Sequence, residues 1–412
     1  MKATANKLKL INDPVYGFIK IPSPLIFDLM EHPWFQRLRR IKQLGLTHLV
    51  YPGALHTRFH HALGAMWLTT QALDTLKSKG VQITDEETEA TIAAVLLHDI
   101  GHGPFSHTLE KSIVLGVGHE DISLALMEFL NKEFNGKLNL AIKIFQNKYR
   151  KQYLHQLISS QLDMDRMDYL RRDSFFTGVV EGTIGSERII KMLDVVKNQL
   201  VIEAKGIYSI EKFIIARRLM YWQVYLHKTV LSAEQLLSCI LKRARFLAQN
   251  NIEVFATPAF RFFLQNTMKQ KDFLTNRDYL DLFCQLDDND ITASIKVWQK
   301  HPDKVLRLLS DSLINRQLFA VSITTHKGSE NQISKLKARV MDKLKISAED
   351  AAYFVMSGVV ENSAYIATED NIKIKMQNGK LTDLAKASDQ YNISALSKTV
   401  RKYFICYPDE VE

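Results

Sequence analysis

Cysteine is scarce in this 412-residue chain: Cys239, Cys284 and Cys406 are scattered, odd in number and form no CxxC pair. That distribution excludes a disulfide scaffold and suits a reducing cytoplasm. No uncharged stretch reaches the ~20 residues that a bilayer span needs. The charged stretch Met1 to Asp13 holds no apolar run of signal-peptide length, so the expectation is a protein neither exported nor membrane-embedded. Internal repeats, low-complexity tracts and Gly/Ser-rich linkers are missing too, which leaves any domain boundary unmarked.

What is present is an ordinary globular composition, 46% hydrophobic and 24% charged, with material for one large domain and a smaller appendage. The formal net charge is +9 and the pI about 9.2, which favours an anionic partner such as a phosphate compound or nucleic acid. That argument selects a charge class only, because basic surfaces are often just solvated faces.

Around Asn12-Asp13-Pro14, Lys7 to Ile21 alternates apolar and polar residues and reads as a short hairpin or extended arm. Apolar residues then recur at spacings of three and four in residues 24–45, 60–79, 86–99, 119–134, 153–172, 186–198 and 209–248, the period of helices with one buried face. Near residue 315 the pattern changes: Leu318 to Ile323, Ala352 to Met356 and Asn371 to Lys375 read as strands, with a turn at Gln377 to Lys380. The expectation is a mainly α protein, a helical body over 1–314 followed by a small α+β module over 315–412.

Seven of the 13 histidines fall between His56 and His119. Neutral imidazoles beside carboxylates are ligands of borderline divalent metals. In Leu96-Leu97-His98-Asp99-Ile100-Gly101-His102-Gly103-Pro104 an apolar helix runs into polar ligands just before two glycines and a proline stop it. One histidine on an apolar helix is usually a hydrogen-bonded core residue. An adjacent His-Asp pair differs, because burying that carboxylate is costly without a compensating cation. Farther on, Asp165, Tyr169 and Asp173 lie four apart on one helix face with Arg166 and Arg172 beside them, a pattern for holding a metal and a phosphate that also occurs on solvated helices.

Together these segments resemble the HD-domain superfamily, and within it the deoxynucleoside triphosphate triphosphohydrolases. The resemblance spans most of residues 7–228, with core motifs over 43–173. It is carried in order by Lys9 to Pro14, Phe35 to Gly45, Tyr51 to His61, His98 to His107 and Asp163 to Asp173. It implies one divalent ion (Mn, Fe, Mg, Zn or Ni) on His61, His98, Asp99 and Asp165. Catalytic roles fall on His102, His119 and Asp165. Substrate contacts fall on Gln43, Leu44, Arg58, His107, Arg166, Tyr169, Asp173, Arg217 and Tyr225, with Tyr225 crowding a 2′-hydroxyl. The implied reaction is attack of water on the α-phosphate, giving a deoxynucleoside and intact triphosphate.

Some members of this family are switched on by a guanine nucleotide bound between subunits of a dimer or tetramer. Lys9, Asn12, Gln36 and Arg39 match that effector site, and Glu31 stands where those members carry an aspartate. His60, Arg166 and Glu203 also depart from the usual pattern. Two other readings stay open: an HD phosphohydrolase acting on a nucleoside monophosphate, cyclic dinucleotide or alarmone, and a non-enzymatic binder of nucleotides or single-stranded nucleic acid. The chain lacks the Gly-Tyr-Pro signature of cyclic-dinucleotide phosphodiesterases.

Overall fold

The computed structural model describes residues 9–105, 116–363, 365, 371–389 and 398–411. The chain begins with a hairpin in which β1 (Leu10–Asp13) pairs antiparallel with β2 (Gly17–Lys20). The buried Asp13 carboxylate accepts the Val15 and Tyr16 amides at 2.9 and 3.0 Å, and Gly17, at φ +75°, completes the turn.

The helical body is built as its periodicity predicts, although several continuous stretches are broken by local chemistry. In residues 24–45, the Pro24–Glu31 helix ends at His32, whose ring accepts the Trp34 amide, and Pro33 starts a new turn. Short 3-10 turns follow at Arg37–Arg40 and Gly45–Leu49. In residues 153–172, the Gln152–Gln156 and Met164–Thr177 helices are separate because Asp163 caps the second, accepting the Arg166 amide at 2.7 Å.

The helix expected over 186–198 stops at Lys191. Leu193–Val196 is strand β3, paired with β4 (Gln199–Glu203) across Lys197-Asn198, both at positive φ. Helix 209–248 is two helices, Ile207–Met220 and Lys228–Gln249, joined through a π-helical turn at Tyr221–Tyr225.

Beyond residue 315, β5 (Ala320–Thr324), β6 (Met356–Asn362) and β9 (Val400–Tyr407) form a three-stranded sheet ordered β5-β9-β6. The strand expected over Ala352 to Met356 begins only at Met356, because Ser347 caps a short helix at Ala348–Ala351 whose end fills the preceding turn. β7 (Lys373–Lys375) forms within the expected strand, and after the expected turn, with Gly379 at φ +77°, the chain adds β8 (Leu381–Asp383) antiparallel to it. β7 also pairs in parallel with β4, so a strand beyond residue 315 completes a sheet begun before it. Among the described residues no helix is long and apolar enough to cross a membrane.

The Arg58–Ser78 helix is central, packing against the Asp85–Leu97 and Met164–Thr177 helices. Its approach to Met164–Thr177 requires a glycine at position 64, where an added Cβ would lie 1.9 Å from Asp168 Oδ1 and 2.3 Å from an Arg172 nitrogen. These are buried charged groups in a fixed network, so they have little room to yield. Gly64→Ala is expected to destabilise the protein by about 2–4 kcal/mol, read from denaturant unfolding; a change within about 0.5 kcal/mol would show that the contact yields freely.

Candidate metal centre

Three elements bring the centre together. The Arg58–Ser78 helix supplies Arg58 and the buried His61 in its first turn, and the Asp85–Leu97 helix delivers His98 and Asp99 at its end. The Met164–Thr177 helix supplies Asp165 near its start. Just past His98, Gly101 fits where any Cβ would sit 2.3 Å from the His119 carbonyl oxygen. Ser123 then ties the loop down, accepting the Gly101 amide at 2.9 Å and donating to the His98 carbonyl at 2.7 Å.

The histidines are oriented through their other nitrogens. His61 Nδ1 is bonded to Asp168 Oδ2 at 2.8 Å, and His98 Nδ1 to the Val95 carbonyl at 2.6 Å. Each Nε2 is buried and has no hydrogen-bond partner among the described residues. Both face carboxylates: Asp165 Oδ1 lies 3.0 Å from His61 Nε2 and 3.6 Å from His98 Nε2, while Asp99 lies 3.7 and 3.3 Å from the same atoms. The donor atoms of His61, His98 and Asp99 lie within 4.8 Å of one another. Neutral imidazoles fixed by carboxylate or carbonyl partners, together with anionic oxygens, fit a divalent cation.

Electrostatics agree. Burial opposes charge on His61, but the carboxylates of Asp165 and Asp168 overcome it and hold the ring's pKa up to about 10. His98 is likewise opposed by burial and lifted by Asp99 and Asp165 to about 9. Burial would raise Asp99, yet His98, His102 and Arg58 hold it well below the ordinary carboxylate value. His102 goes the other way: burial, then the Arg58 guanidinium, keep its ring neutral. Protons therefore occupy the imidazoles where a cation would otherwise balance the carboxylates.

A pocket of ≈ 560 Å³ opens beside the centre. Gln43 and Leu44 line one wall, and His102 and His119, stacked with centroids 3.9 Å apart, line another. Arg58 donates to Asp99 at 2.7 Å, and Arg166, Tyr169 and Asp173 face in from their shared helix. At the far end, the π-helical turn presents Tyr225, whose hydroxyl donates to Asp173 Oδ2 at 2.7 Å. Arg217 is buried close enough for its charge to act on the Tyr169 phenol, without lining the pocket. His107 lies outside the described residues.

The residues matched to an effector site lie elsewhere. Lys9, just before β1, and Asn12, within it, are exposed, and Glu31 is exposed at the close of the Pro24–Glu31 helix. Arg39 Nε donates to Gln36 Oε1 at 2.7 Å, and its guanidinium stacks over Phe59.

These positions match known proteins. The HD domain family matches residues 58–173, and the HD associated region matches residues 184–256. The uncharacterized protein YwfO of Bacillus subtilis (strain 168) is 34% identical over 98% of this chain and 93% of its own. The chain belongs to the HD-domain phosphohydrolases. A crystal structure of a phosphohydrolase from Bacteroides thetaiotaomicron VPI-5482 shares 56% identity at a TM-score of 0.94, covering 97% of this chain and 99% of that one. The deoxynucleoside triphosphate triphosphohydrolase SAMHD1 of Homo sapiens is 24% identical over 92% of this chain and 68% of its own.

Within this HD-domain protein the structure adds residues that sequence reasoning passed over. Asp168, three positions after Asp165, orients His61, and Arg172 grips Asp168 at 2.9 and 3.0 Å and Asp13 at 2.8 Å. Arg172 thus faces away from the pocket that its place beside the acidic stripe suggested. His56 bonds Asp173 Oδ1 at 2.8 Å and stacks on Phe176. The crowding of histidines pointed at His56, but its partner is 117 residues away.

With His61 at about 10 and His98 at about 9, both rings carry protons at pH 7 in the metal-free protein. A cation needs them neutral, so loading at pH 7 is expected to release about two protons and to tighten as pH rises towards 9. Calorimetric titration with Mn²⁺ in buffers of different ionisation enthalpy reads this directly; proton-neutral binding would contradict it.

Proposed function

We propose that the protein hydrolyses deoxynucleoside triphosphates to a deoxynucleoside and inorganic triphosphate, using one divalent ion held by His61, His98, Asp99 and Asp165. The observation that carries this reading is the pair of buried Nε2 atoms of His61 and His98, which make no hydrogen bond among the described residues and face two carboxylates beside a pocket walled with Arg58, Arg166 and Lys42. Likeness to a relative named as a deoxynucleoside triphosphate triphosphohydrolase supports the substrate class.

When bound, the ion supplies Lewis-acid charge and acidifies water at the α-phosphate. The chain's own groups do the rest. Asp165, whose carboxylate faces His61 and His98 at the mouth of the centre, would orient the attacking water and draw its proton. Arg58, Arg166 and Lys42 offset the triphosphate charge, and the motif matches assign Arg217 and His107 to the same task. Neutral His102, stacked on His119, would relay a proton from solvent water to the leaving oxygen, since it holds no extra proton of its own to give.

Gln43 and Leu44 take the 3′ end of the sugar. Asp173 is fixed between His56 and Tyr225, which aligns its carboxylate for the 3′-hydroxyl and holds the Tyr225 ring where a 2′-hydroxyl would sit. The helix-borne Tyr169 packs against Tyr225 edge to face and completes that wall.

A guanine nucleotide bound by Lys9, Asn12, Glu31, Gln36 and Arg39 in a homo-oligomer, dimer or tetramer, would switch the enzyme on in the cytoplasm. The matched residues and the solvent exposure of four of them support this. The +9 charge supports weak single-stranded nucleic-acid binding besides.

Each dNTP incubated with the protein and Mn²⁺ is expected to yield tripolyphosphate, with GTP raising the rate; release of pyrophosphate or single phosphate defeats the assignment. Asp99→Ala and Asp165→Ala should each lower kcat at least about 10³-fold while the far-ultraviolet circular dichroism stays helical. Near-normal turnover with unchanged metal content in either variant would remove these residues from the ligand set.

A further inference from the structure

Three consecutive residues outside both matched family segments bond to the segments behind the pocket, and one of them, Asp288, reaches both walls. Leu286, Asp287 and Asp288 lead into the Asp288–Trp298 helix. The Leu286 carbonyl accepts from Arg37 Nη1 at 3.4 Å, and Arg37, fully buried, donates through Nη2 to the Ile100 carbonyl at 2.8 Å, one residue past Asp99. The Asp287 carboxylate pairs with Arg40 Nε and caps its own helix, accepting the Asn289 amide at 2.8 Å. Asp288 Oδ2 accepts the Lys42 amide at 2.9 Å and lies 3.6 Å from Lys42 Nζ, while Oδ1 accepts the Phe105 amide at 3.3 Å.

Asp288 is 3% exposed, and such a carboxylate survives only where its charge is met. Burial pushes its pKa up, and the Lys42 amide, the Lys42 ammonium and the Phe105 amide counter that rise. The capping of this helix is already done by Asp287 and Asp290. The two oxygens of Asp288 are instead directed at two other segments. One runs through Lys42 into Gln43 and Leu44; the other is the loop that carries Asp99, His102 and Phe105.

We propose that Asp288 is a positioning residue that locks the Lys42–Leu44 wall to the His98–Phe105 loop, holding the sugar end of the pocket in register with the metal centre. Its catalytic consequence rests on the substrate reading given above. Without Asp288's bridge the wall keeps its backbone bond from Gln43 to the His56 carbonyl, and the start of the loop keeps Arg37 and Ser123, but the Phe105 end of the loop is no longer held to Lys42. Misplacement between ligand groups weakens binding before it alters the reacting centre.

Full-length Asp288→Asn, which keeps the shape and loses one acceptor and the charge, is compared with Asp290→Asn. Asp290 caps the same helix through the Asp287 amide and touches neither wall. Asp288→Asn is expected to raise the dNTP KM about tenfold with kcat within about twofold and metal content unchanged. Asp290→Asn is expected to lower Tm and leave KM alone. Asp288→Glu retains the charge one methylene farther out and should show the same KM-first pattern at smaller size.

Hydrogen exchange gives a readout independent of turnover: Asp288→Asn should lose protection in both 42–47 and 101–105, while Asp290→Asn should not. An unchanged KM in Asp288→Asn and Asp288→Glu overturns the proposal, as does an equal KM rise in Asp290→Asn. Should the wild type turn over no dNTP, the substrate reading fails, and retained protection of either segment in Asp288→Asn still overturns the positioning role.

Discussion

Asp168 is a fully buried carboxylate that takes His61 Nδ1 on one oxygen and clasps Arg172 with both. An uncompensated charge there would be costly, and Arg172 extends the compensation to Asp13 on the N-terminal hairpin. The rest of the centre depends on this chain of contacts. It leaves His61 with one tautomer and one direction, so that Nε2 is the nitrogen presented to Asp99 and Asp165. Gly64, one turn along the same helix, is what lets the two helices come close enough for the chain to form.

The pocket repeats the device at its edges. Asp173 is held by His56 and Tyr225, Asp99 by Arg58, and Asp288 by the Lys42 and Phe105 amides. In each case a carboxylate in a poorly hydrated place is met by donors from a distant segment, and its geometry is fixed as a by-product. Charge compensation and alignment of the site are therefore one process. The imidazoles of the metal-free centre hold protons for the same reason, because they are the groups that meet the charge of Asp99, Asp165 and Asp168.

Much of this was legible beforehand, for identifiable reasons. His61, His98, Asp99 and Asp165 stood out because metal chemistry needs those side chains, and the family's ordered motifs carry them. Gln43, Leu44, Arg58, Arg166, Tyr169, Asp173 and Tyr225 are likewise brought to one pocket. The helices of the body showed in their apolar spacing. Boundaries failed where a single polar group decided them: Asp163 as a cap, the His32 ring before Pro33, and the Lys197-Asn198 turn that converts an expected helix into β3. Periodicity reports burial of one face, and says little about where the hydrogen-bond ladder is cut.

The sequence alone determined which side-chain types the candidate centre offers, the helical periods and the loop of small residues that ends the helix at His98, since these follow from local chemistry. Tertiary structure alone decided which nitrogen of His61 and of His98 faces the carboxylates, that Arg172 turns inward to Asp168, and that Asp288 reaches Lys42 and Phe105 across 246 and 183 residues. Those outcomes depend on distances between segments remote in the chain. Such distances are set by the packing of helix against helix, which no local pattern encodes.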